Sequence, residues 1–245
     1  NFSKKIFQKI TLALPQNIES KKYLKLLGTK NTKFVGNLKF FGGVQKDNTK
    51  NLILKKKFSK RIIFCAASTH RKEELFIGKV HKELKSEIKN LITIIIPRHI
   101  NRKKEILDEL KNIGLNSQFH TSHKKLSKDT DIYIVDTYGD STNFYSLSKL
   151  TFLGGSLIPH GGQNPLESAR EGNYILHGPH IENFKEVYKM LEKFKITTKI
   201  NSIKNMKSVV RQKINFLQRN TVNKKLKYLG DKILNKNLNE IKKFI

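Results

Sequence analysis

The sequence predicts an α/β fold built on a doubly wound parallel sheet. From residue 61 onward, short apolar segments rich in β-branched residues alternate with longer segments in which apolar residues recur at helical spacing. Residues 91–96 are almost entirely apolar, which is typical of a strand buried on both faces. Strands separated by helices pair in parallel through right-handed crossovers. A glycine-rich loop between a strand and a helix, at residues 154–162, also fits this class.

The predicted strands and helices alternate along the chain. Pro15 ends the first predicted strand, and Gly28 ends the first predicted helix. The strands are expected at residues 10–14, 34–35, 62–66, 91–96, 132–135, 151–153 and 174–176. The helices are expected at residues 17–27, 72–89, 102–113, 143–148, 165–171 and 182–193, with two more within residues 202–244.

The composition changes between residues 39 and 60. This segment is polar and lysine-rich and carries Gly42-Gly43, which is typical of a connector between domains. The prediction is therefore a tail of one α/β unit at residues 1–40, a linker at residues 41–60 and the main α/β domain with terminal helices at residues 61–245. Because the chain opens in mid-pattern at Asn1, we expect earlier strands of the first unit to precede it.

The chain is strongly basic, with 49 lysine and arginine residues against 20 acidic ones and a net charge of +29. Such an excess suits nucleic acid, an anionic membrane surface or an acidic substrate. The lysines are spread along the chain beside many asparagines and isoleucines, so a compositional bias explains much of the count. Cys65, the only cysteine, lies in an apolar run and predicts a buried thiol. No apolar run is long enough to cross a bilayer, so we expect a soluble or peripheral protein.

The glycine-rich loop leads into a helix with a clear start signal. Asn164 is a favoured N-cap, Pro165 suits the first helical position, and Glu167 could close a capping box. A loop of small residues before a helix is expected to leave unpaired backbone N–H groups near the positive end of the macrodipole, which suits a phosphate. The alternative is a tight turn followed by an ordinary capped helix.

Polar residues follow several predicted strands, at the edge where a doubly wound sheet binds ligands. In chain order they are Ser68-Thr69-His70, Pro97-Arg98-His99, residues 136–140, the glycine-rich loop and Gly178-Pro179-His180. Each alone could be a solvated surface group. Their occurrence after successive strands predicts a binding site at this edge.

The order of these motifs resembles that of the 3-deoxy-D-manno-octulosonic acid (Kdo) transferases of lipid A biosynthesis. The similarity covers residues 37–190 and rests on S-T-H at 68–70, I-P-R-H at 96–99, D-T-Y-G-D at 136–140, F-L-G-G-S-L-I-P-H-G-G-Q-N-P-L-E at 152–167 and G-P-H-x-x-N-F at 178–184. It implies a GT-B glycosyltransferase with two Rossmann-like lobes. It also implies CMP-Kdo as donor and a lipid A precursor as acceptor, with no metal and no other cofactor. The chain would then be the C-terminal donor lobe with the end of the N-terminal acceptor lobe.

The resemblance also implies site residues. CMP-binding positions fall on Pro97, Arg98, Tyr138, Gly139, Asp140, Asn164, Pro165, Leu166 and Glu167. Further donor contacts are expected at Ser68, Thr69, His70, Gly155 and Ser156. The sequence departs from the family pattern in having Lys72 where glycine is usual, Asp140 where glutamate is usual and Gln163 where histidine is common.

The family mechanism implies an inverting transfer in which a carboxylate base on the upstream lobe activates the acceptor. No catalytic residue is therefore assigned here, and we expect this chain to bind CMP without transferring sugar. The implied location is the cytoplasmic face of the bacterial inner membrane, against an anionic membrane surface. Two alternatives remain: another GT-B nucleotide-sugar transferase or sugar epimerase, and a basic nucleic-acid-binding module. The diffuse lysines argue against nucleic acid, because phosphate-driven binding favours a clustered patch.

Overall fold

The computed structural model describes residues 2–42, 48–122, 125–215 and 219–244. The chain divides into two compact units, one within Asn1–Gly43 and Asn223–Ile245, the other within Val44–Val222. The second, larger unit contains the sheet and every predicted site residue. The predicted domain limits near residues 40 and 60 stay a prediction. Residues 43–47 of the predicted linker and Leu217 of the predicted terminal helices lie outside the described residues.

A parallel sheet forms the centre of the larger unit. In the described part of the chain its strands are β1 (Ile62–Thr69), β2 (Leu91–Pro97), β3 (Ser117–Phe119), β4 (Ile132–Ile134), β5 (Leu150–Leu153), β6 (Tyr174–His177) and β7 (Thr197–Lys199). All neighbours pair in parallel in the order β3-β4-β2-β1-β5-β6-β7. The predicted α/β class and the doubly wound parallel sheet are confirmed.

Among the helices of the described residues, some start at a side chain that caps a backbone N–H, as at Asn17 and at Ser202. Asn17 accepts a hydrogen bond from the backbone N–H of Ser20 (2.7 Å) and starts the second helix. The helices are α1 (Phe2–Phe7), α2 (Ile18–Leu26), α3 (Asn48–Lys57), α4 (Glu73–Leu84), α5 (Lys103–Asn112), α6 (Ser141–Leu147), α7 (Leu166–Arg170), α8 (Lys185–Lys193), α9 (Ile203–Lys213) and α10 (Arg219–Ile241). Short 3-10 turns lie at Leu38–Phe40, Ile100–Arg102 and Glu182–Phe184.

The core lies on both faces of the central strands. Every residue of β2 is buried, and its neighbour β1 is buried along nearly its whole length. Among the helices, α4 packs against α5 and α9, and α6 packs against α3 and α7. Burial of successive residues in a strand requires cover on both faces of the sheet. The near-continuous apolar character of residues 91–96 has this cause.

Several predicted elements differ from the structure. Residues 10–14 and 34–35 form no strand, and an isolated bridge joins Ala13 to Thr32 instead, because a strand persists only with hydrogen-bonded neighbours along its length. The predicted linker contains helix α3, with Leu54 and the following Phe58 buried. These two apolar residues four positions apart lie on one helix face. The edge strands β3 and β7 and the helix α1 were not predicted.

The smaller unit combines α1 and α2 with the C-terminal residues. Lys33 and Glu240 form an ion pair of 2.7 Å within it. Gly36 has a φ of +126°, and a side chain there would meet Ile233. These contacts group the end of α10 with the N-terminal residues. None of the helices in the described ranges combines the length and apolar character needed to span a membrane.

Candidate donor-binding site

The predicted site residues lie at the carboxyl edge of the sheet. In the strand order, β2 and β4 lie on one side of β1, and β5 and β6 lie on the other. From β1 the strand order continues through β2 in one direction, and from β5 it continues through β6 in the other. Such a point of reversal opens a crevice beyond the strand ends, where doubly wound proteins bind ligands.

The loops after β1 and β2 are joined directly. The backbone N–H of Arg98 donates to the carbonyl oxygen of Thr69 (2.9 Å). Ser68 has a φ of +53° at the end of β1, and the Thr69 side chain is buried. Pro97, the last residue of β2, is buried as well. Thr69 and Pro97 therefore support the backbone of the site, whereas the Arg98 side chain is exposed.

Arg98 is the one arginine among the predicted site residues, and its side chain is exposed. Its guanidinium makes no side-chain hydrogen bond or ion pair within the part of the chain that the structure describes. A guanidinium with its donors available can form bidentate bonds to a phosphate or a carboxylate. The predicted role of Arg98 in binding CMP fits this arrangement.

The glycine-rich loop after β5 is tied to the loop after β1 by a buried carboxylate. The side chain of Glu73, the first residue of α4, is completely buried. Its oxygens accept hydrogen bonds from backbone N–H groups of both loops, at His70 (2.9 Å), Gly155 (2.7 Å), Ser156 (3.1 Å) and Leu157 (2.9 Å). The prediction that this loop leaves unpaired N–H groups is therefore wrong for Gly155 and Ser156, because Glu73 already occupies them.

The same loop packs tightly against its neighbours. Gly154 has no room for a side chain, because an added Cβ would meet the carbonyl oxygen of Ser68 and the Cα of Thr69. The hydroxyl of Ser156 donates to the carbonyl of Leu153 and accepts from the N–H of Gly178 (2.8 Å). Ser156 is completely buried. Its hydroxyl thus holds the loops after β5 and β6 together.

The helix after the loop begins one residue later than predicted, at Leu166. Asn164 caps it by accepting a hydrogen bond from the N–H of Leu166 (3.1 Å). Pro165 and Leu166 are buried, so any ligand contact from Leu166 must come from its main chain. Glu167 is exposed, and its carboxylate has no hydrogen-bond partner among the described residues. The predicted capping box is therefore not formed, and this carboxylate is available to a ligand hydroxyl.

Three imidazoles surround the start of the crevice. The ring of His70 lies 4.3 Å from that of His160 and 5.9 Å from that of His99. Burial lowers the pKa of His70 to about 4, and the neighbouring His160, His99 and Arg98 lower it as well. His70 is therefore neutral near pH 7.

The tautomer of His70 follows from its partners. Nδ1 lies 3.0 Å from the carbonyl oxygen of Ser68, which can only accept, so Nδ1 carries the proton. Nε2 is buried and has no hydrogen-bond partner within the described residues. A neutral ring in this state offers a lone pair that can accept a hydrogen bond from a ligand hydroxyl.

The loop after β4 lies at the same edge but has its own anchors. Asp140 accepts hydrogen bonds from the hydroxyl of Thr137 (2.7 Å) and from the ammonium of Lys50 on α3 (3.4 Å). Burial alone would raise the pKa of Asp140, but these two partners hold it below the usual value. Tyr138 is 68% exposed, and Gly139 has a φ of +84°. The loop therefore presents an aromatic ring beside an ionised carboxylate.

The structure brings together the predicted residues of the loops after β1, β2 and β5 through direct contacts. The hydrogen bonds of the loop after β4 run instead to α3, α5 and the segment after β3. Two contributors were missed by the sequence analysis: the carboxylate of Glu73 and the ring of His160. Glu73 follows S-T-H by three positions, the spacing at which a side chain caps a preceding N–H, and this spacing is the signal that could have identified it.

No protein-family model matches the chain. The 3-deoxy-D-manno-octulosonic acid transferase of Haemophilus influenzae is 31% identical over 199 residues, which cover 78% of this chain and 45% of that protein. The enzyme of the same description from Rickettsia bellii is 33% identical over 177 residues, covering 72% of this chain and 42% of that protein.

The chain belongs to the Kdo transferase family. It spans less than half the length of these curated relatives. The crystal structure of the C-terminal CMP-Kdo binding domain of WaaA from Acinetobacter baumannii matches the chain with a TM-score of 0.63 at 24% identity. The match covers 76% of this chain and 96% of that one. The predicted GT-B type of fold is thereby confirmed.

Two departures from the Kdo transferase pattern acquire a structural meaning. Lys72, where the family usually has glycine, has a φ of +78°, in the left-handed region that glycine adopts without strain. Asp140, where glutamate is usual, is held by Thr137 and Lys50. The shorter carboxylate therefore has fixed partners within its own loop and on α3.

Proposed function

We propose that this chain is the donor-binding part of a glycosyltransferase that moves Kdo from CMP-Kdo to a lipid A precursor. The observation that carries the proposal is the exposed Arg98 guanidinium, held at the crevice by the bond from its own N–H to Thr69. The family relationship supports the same reading. The CMP phosphate is the group that this guanidinium would bind.

The other predicted contact residues carry groups that match other parts of the donor. The exposed carboxylate of Glu167 would accept hydrogen bonds from the ribose hydroxyls, and Nε2 of His70 would accept one from a hydroxyl of the sugar. The exposed ring of Tyr138 offers a stacking surface to the cytosine base. Together these groups would bind the donor through its phosphate, its ribose, its sugar and its base.

The transfer itself would be inverting and independent of metal. An acceptor hydroxyl attacks the anomeric carbon of Kdo as the bond from that carbon to the phosphate oxygen breaks. The hydroxyl proton passes to a general base expected upstream of this chain, and CMP leaves with the additional negative charge. Arg98 would stabilise that charge as it develops, which is the principal contribution of a preorganised cation to such a step.

The same proposal places the protein at the cytoplasmic face of the inner membrane. The net charge of +29 favours an anionic lipid surface, where the acceptor would be presented. The expected arrangement is peripheral binding or an anchor supplied by an upstream segment.

Calorimetric titration of the 245-residue chain with CMP tests the proposal. Loss of a charge-assisted contact typically costs about 1.5 to 3 kcal/mol, so Arg98→Ala should weaken CMP binding by at least tenfold without lowering stability. The matched control is Arg211→Ala on α9, whose side chain is 62% exposed and lies 3.7 Å from Glu87.

UMP provides the comparison of bases in the same titration. A clear preference for CMP supports the Kdo transferase reading, and a preference for UMP would favour another GT-B transferase or a sugar epimerase. CMP affinity that is equal in the wild type and Arg98→Ala would exclude Arg98 from the site.

A further inference from the structure

The buried carboxylate of Glu73 lies where a glycine-rich loop would be expected to bind an anion. Its oxygens face the backbone N–H groups of residues 155–157 and the N–H of His70. Glu73 is also the first residue of the twelve-residue helix α4, where the macrodipole favours a negative charge. These partners compensate a carboxylate that is completely buried.

We propose that Glu73 is a positioning residue of the donor site, whose carboxylate acts as a built-in anion that fills the glycine-rich loop. This inference rests on the proposed function of the site. The loop then holds its shape without a ligand, and the phosphate of the donor binds at the Arg98 side chain instead of at the loop amides.

Competition for the same donors supports this division. A backbone N–H carries one proton, and the N–H groups of Gly155, Ser156 and Leu157 already donate to Glu73 over 2.7 to 3.1 Å. A ligand phosphate could reach them only by expelling a buried carboxylate, and two anions at one set of donors repel each other. The exposed guanidinium of Arg98 carries no such occupant within the described residues.

Contacts further along the loop connect Glu73 to Glu167, the residue proposed to bind the ribose. The carbonyl of Gly155 accepts from the N–H of Gly162 (2.8 Å), and Gly162 lies two residues before Asn164. Gly162 has a φ of +76° and packs against the backbone of His180 and Ile181. A loop released from Glu73 would therefore change the position of the Asn164 cap and of the carboxylate of Glu167.

Chemical rescue tests this role without requiring any ligand of unknown identity. Glu73→Ala leaves a cavity lined by N–H donors that a formate ion fits, so about 50 to 100 mM formate, roughly 50 to 100 times a millimolar dissociation constant, should reverse much of the loss in melting temperature. Chloride at equal ionic strength should not. The exposed Glu186 on α8 provides the control, because Glu186→Ala leaves no such cavity and should not respond to formate.

Measuring the affinity for CMP tests whether Glu73 positions the donor site. Folded Glu73→Ala should bind CMP at least tenfold more weakly than the wild type, and formate should restore the affinity along with the stability. In the wild type, the ¹⁵N resonances of residues 155–157 should keep the signature of their bonds to Glu73 when CMP is added, whereas the Arg98 side chain should shift.

Two outcomes would overturn the inference: CMP affinity in folded Glu73→Ala that equals or exceeds that of the wild type, or CMP-induced loss of the loop bonds in the wild type. If Glu73→Ala does not fold, Glu73→Asp keeps the charge on a shorter side chain and should fold with an intermediate affinity. Wild-type affinity in Glu73→Asp would also contradict the role. Absence of CMP binding in the wild type would refute the proposed function alone, since formate rescue of stability would still be measurable.

Discussion

Lys72 occupies a position whose backbone conformation favours glycine. Its φ of +78° places a residue with a Cβ in the left-handed region, immediately before α4 and its buried Glu73. That conformation costs about 1 to 2 kcal/mol for most residues, and glycine adopts it without this cost.

Lys72→Gly should therefore stabilise the protein by about 1 kcal/mol, after the larger entropy of glycine in the unfolded chain is subtracted. Urea denaturation monitored by circular dichroism measures the change. Lys79→Gly, at an exposed position inside α4, should instead destabilise by about 1 kcal/mol. Equal effects of the two substitutions would show that the conformation of Lys72 carries no strain.

His70 should make the free energy of unfolding depend on pH. Its pKa in the folded protein is about 4, below the ordinary value of 6.5, so the unfolded chain binds a proton first as the pH falls. Stability is therefore complete above pH 6.5 and decreases between pH 6.5 and 4, by at most about 1.4 kcal/mol per pH unit. His70→Gln should flatten the curve in this window. A curve for the variant that parallels the wild type would contradict the assignment.

At the scale of residues, the family resemblance implied Arg98 and Glu167 as CMP-binding residues, and both are exposed at the edge of the sheet. Their contact with CMP stays a prediction. Glu73 was not predicted, because an acidic residue in the first turn of a helix is common on stability grounds alone. Its role depends on the approach of residues more than 80 positions away, which a local pattern does not report.

At the scale of elements, the loops after β5 and β6 depend on close backbone contact. A Cβ added to Gly178 would overlap the carbonyl group of Ser156. Gly178→Ala should therefore destabilise the protein by about 3 kcal/mol, since a backbone neighbour cannot move aside.

Gly139 is the matched comparison. It has a φ of +84°, and an added Cβ would meet nothing within 4 Å, so Gly139→Ala should cost only about 1 kcal/mol from backbone strain. Thermal denaturation of both variants measures the difference. A smaller loss for Gly178→Ala than for Gly139→Ala would show that the loops are not packed as described.

The strands of the structure that were predicted from the sequence are those whose residues are buried on both faces of the sheet. β1, β2, β5 and β6 are central strands, and their β-branched and aromatic residues form an apolar pattern that is visible along the chain. The edge strands β3 and β7 have only three residues each, S-Q-F and T-T-K, and contain polar positions that face less of the core. Helix α3 was missed because lysines separate its buried Leu54 from Phe58, the buried residue that follows the helix.

At the scale of the whole molecule, charge dominates the expected behaviour. With a net charge of +29, the protein should bind vesicles that contain phosphatidylglycerol more strongly than neutral vesicles, at about 1 kcal/mol for each lysine near the surface. Co-sedimentation at 50 and 300 mM salt tests this, because screening weakens binding that depends on charge. Equal binding to neutral vesicles, or binding that salt does not reduce, would contradict the proposed attraction to an anionic membrane surface.

The pairing of β1 with β5 also has a consequence for the kinetics of folding. β1 pairs with β2, the next strand in the sequence, whereas its other partner is distant in the sequence, since Cys65 pairs with Thr151. Contacts between distant residues form slowly because a long loop must close. The thiol of Cys65 is completely buried in the finished sheet, and burial raises its pKa to about 12. We therefore expect a thiol-reactive reagent, added as a pulse during refolding, to modify Cys65 only before β5 docks. The refolding time at which this modification stops would then report when the sheet closes.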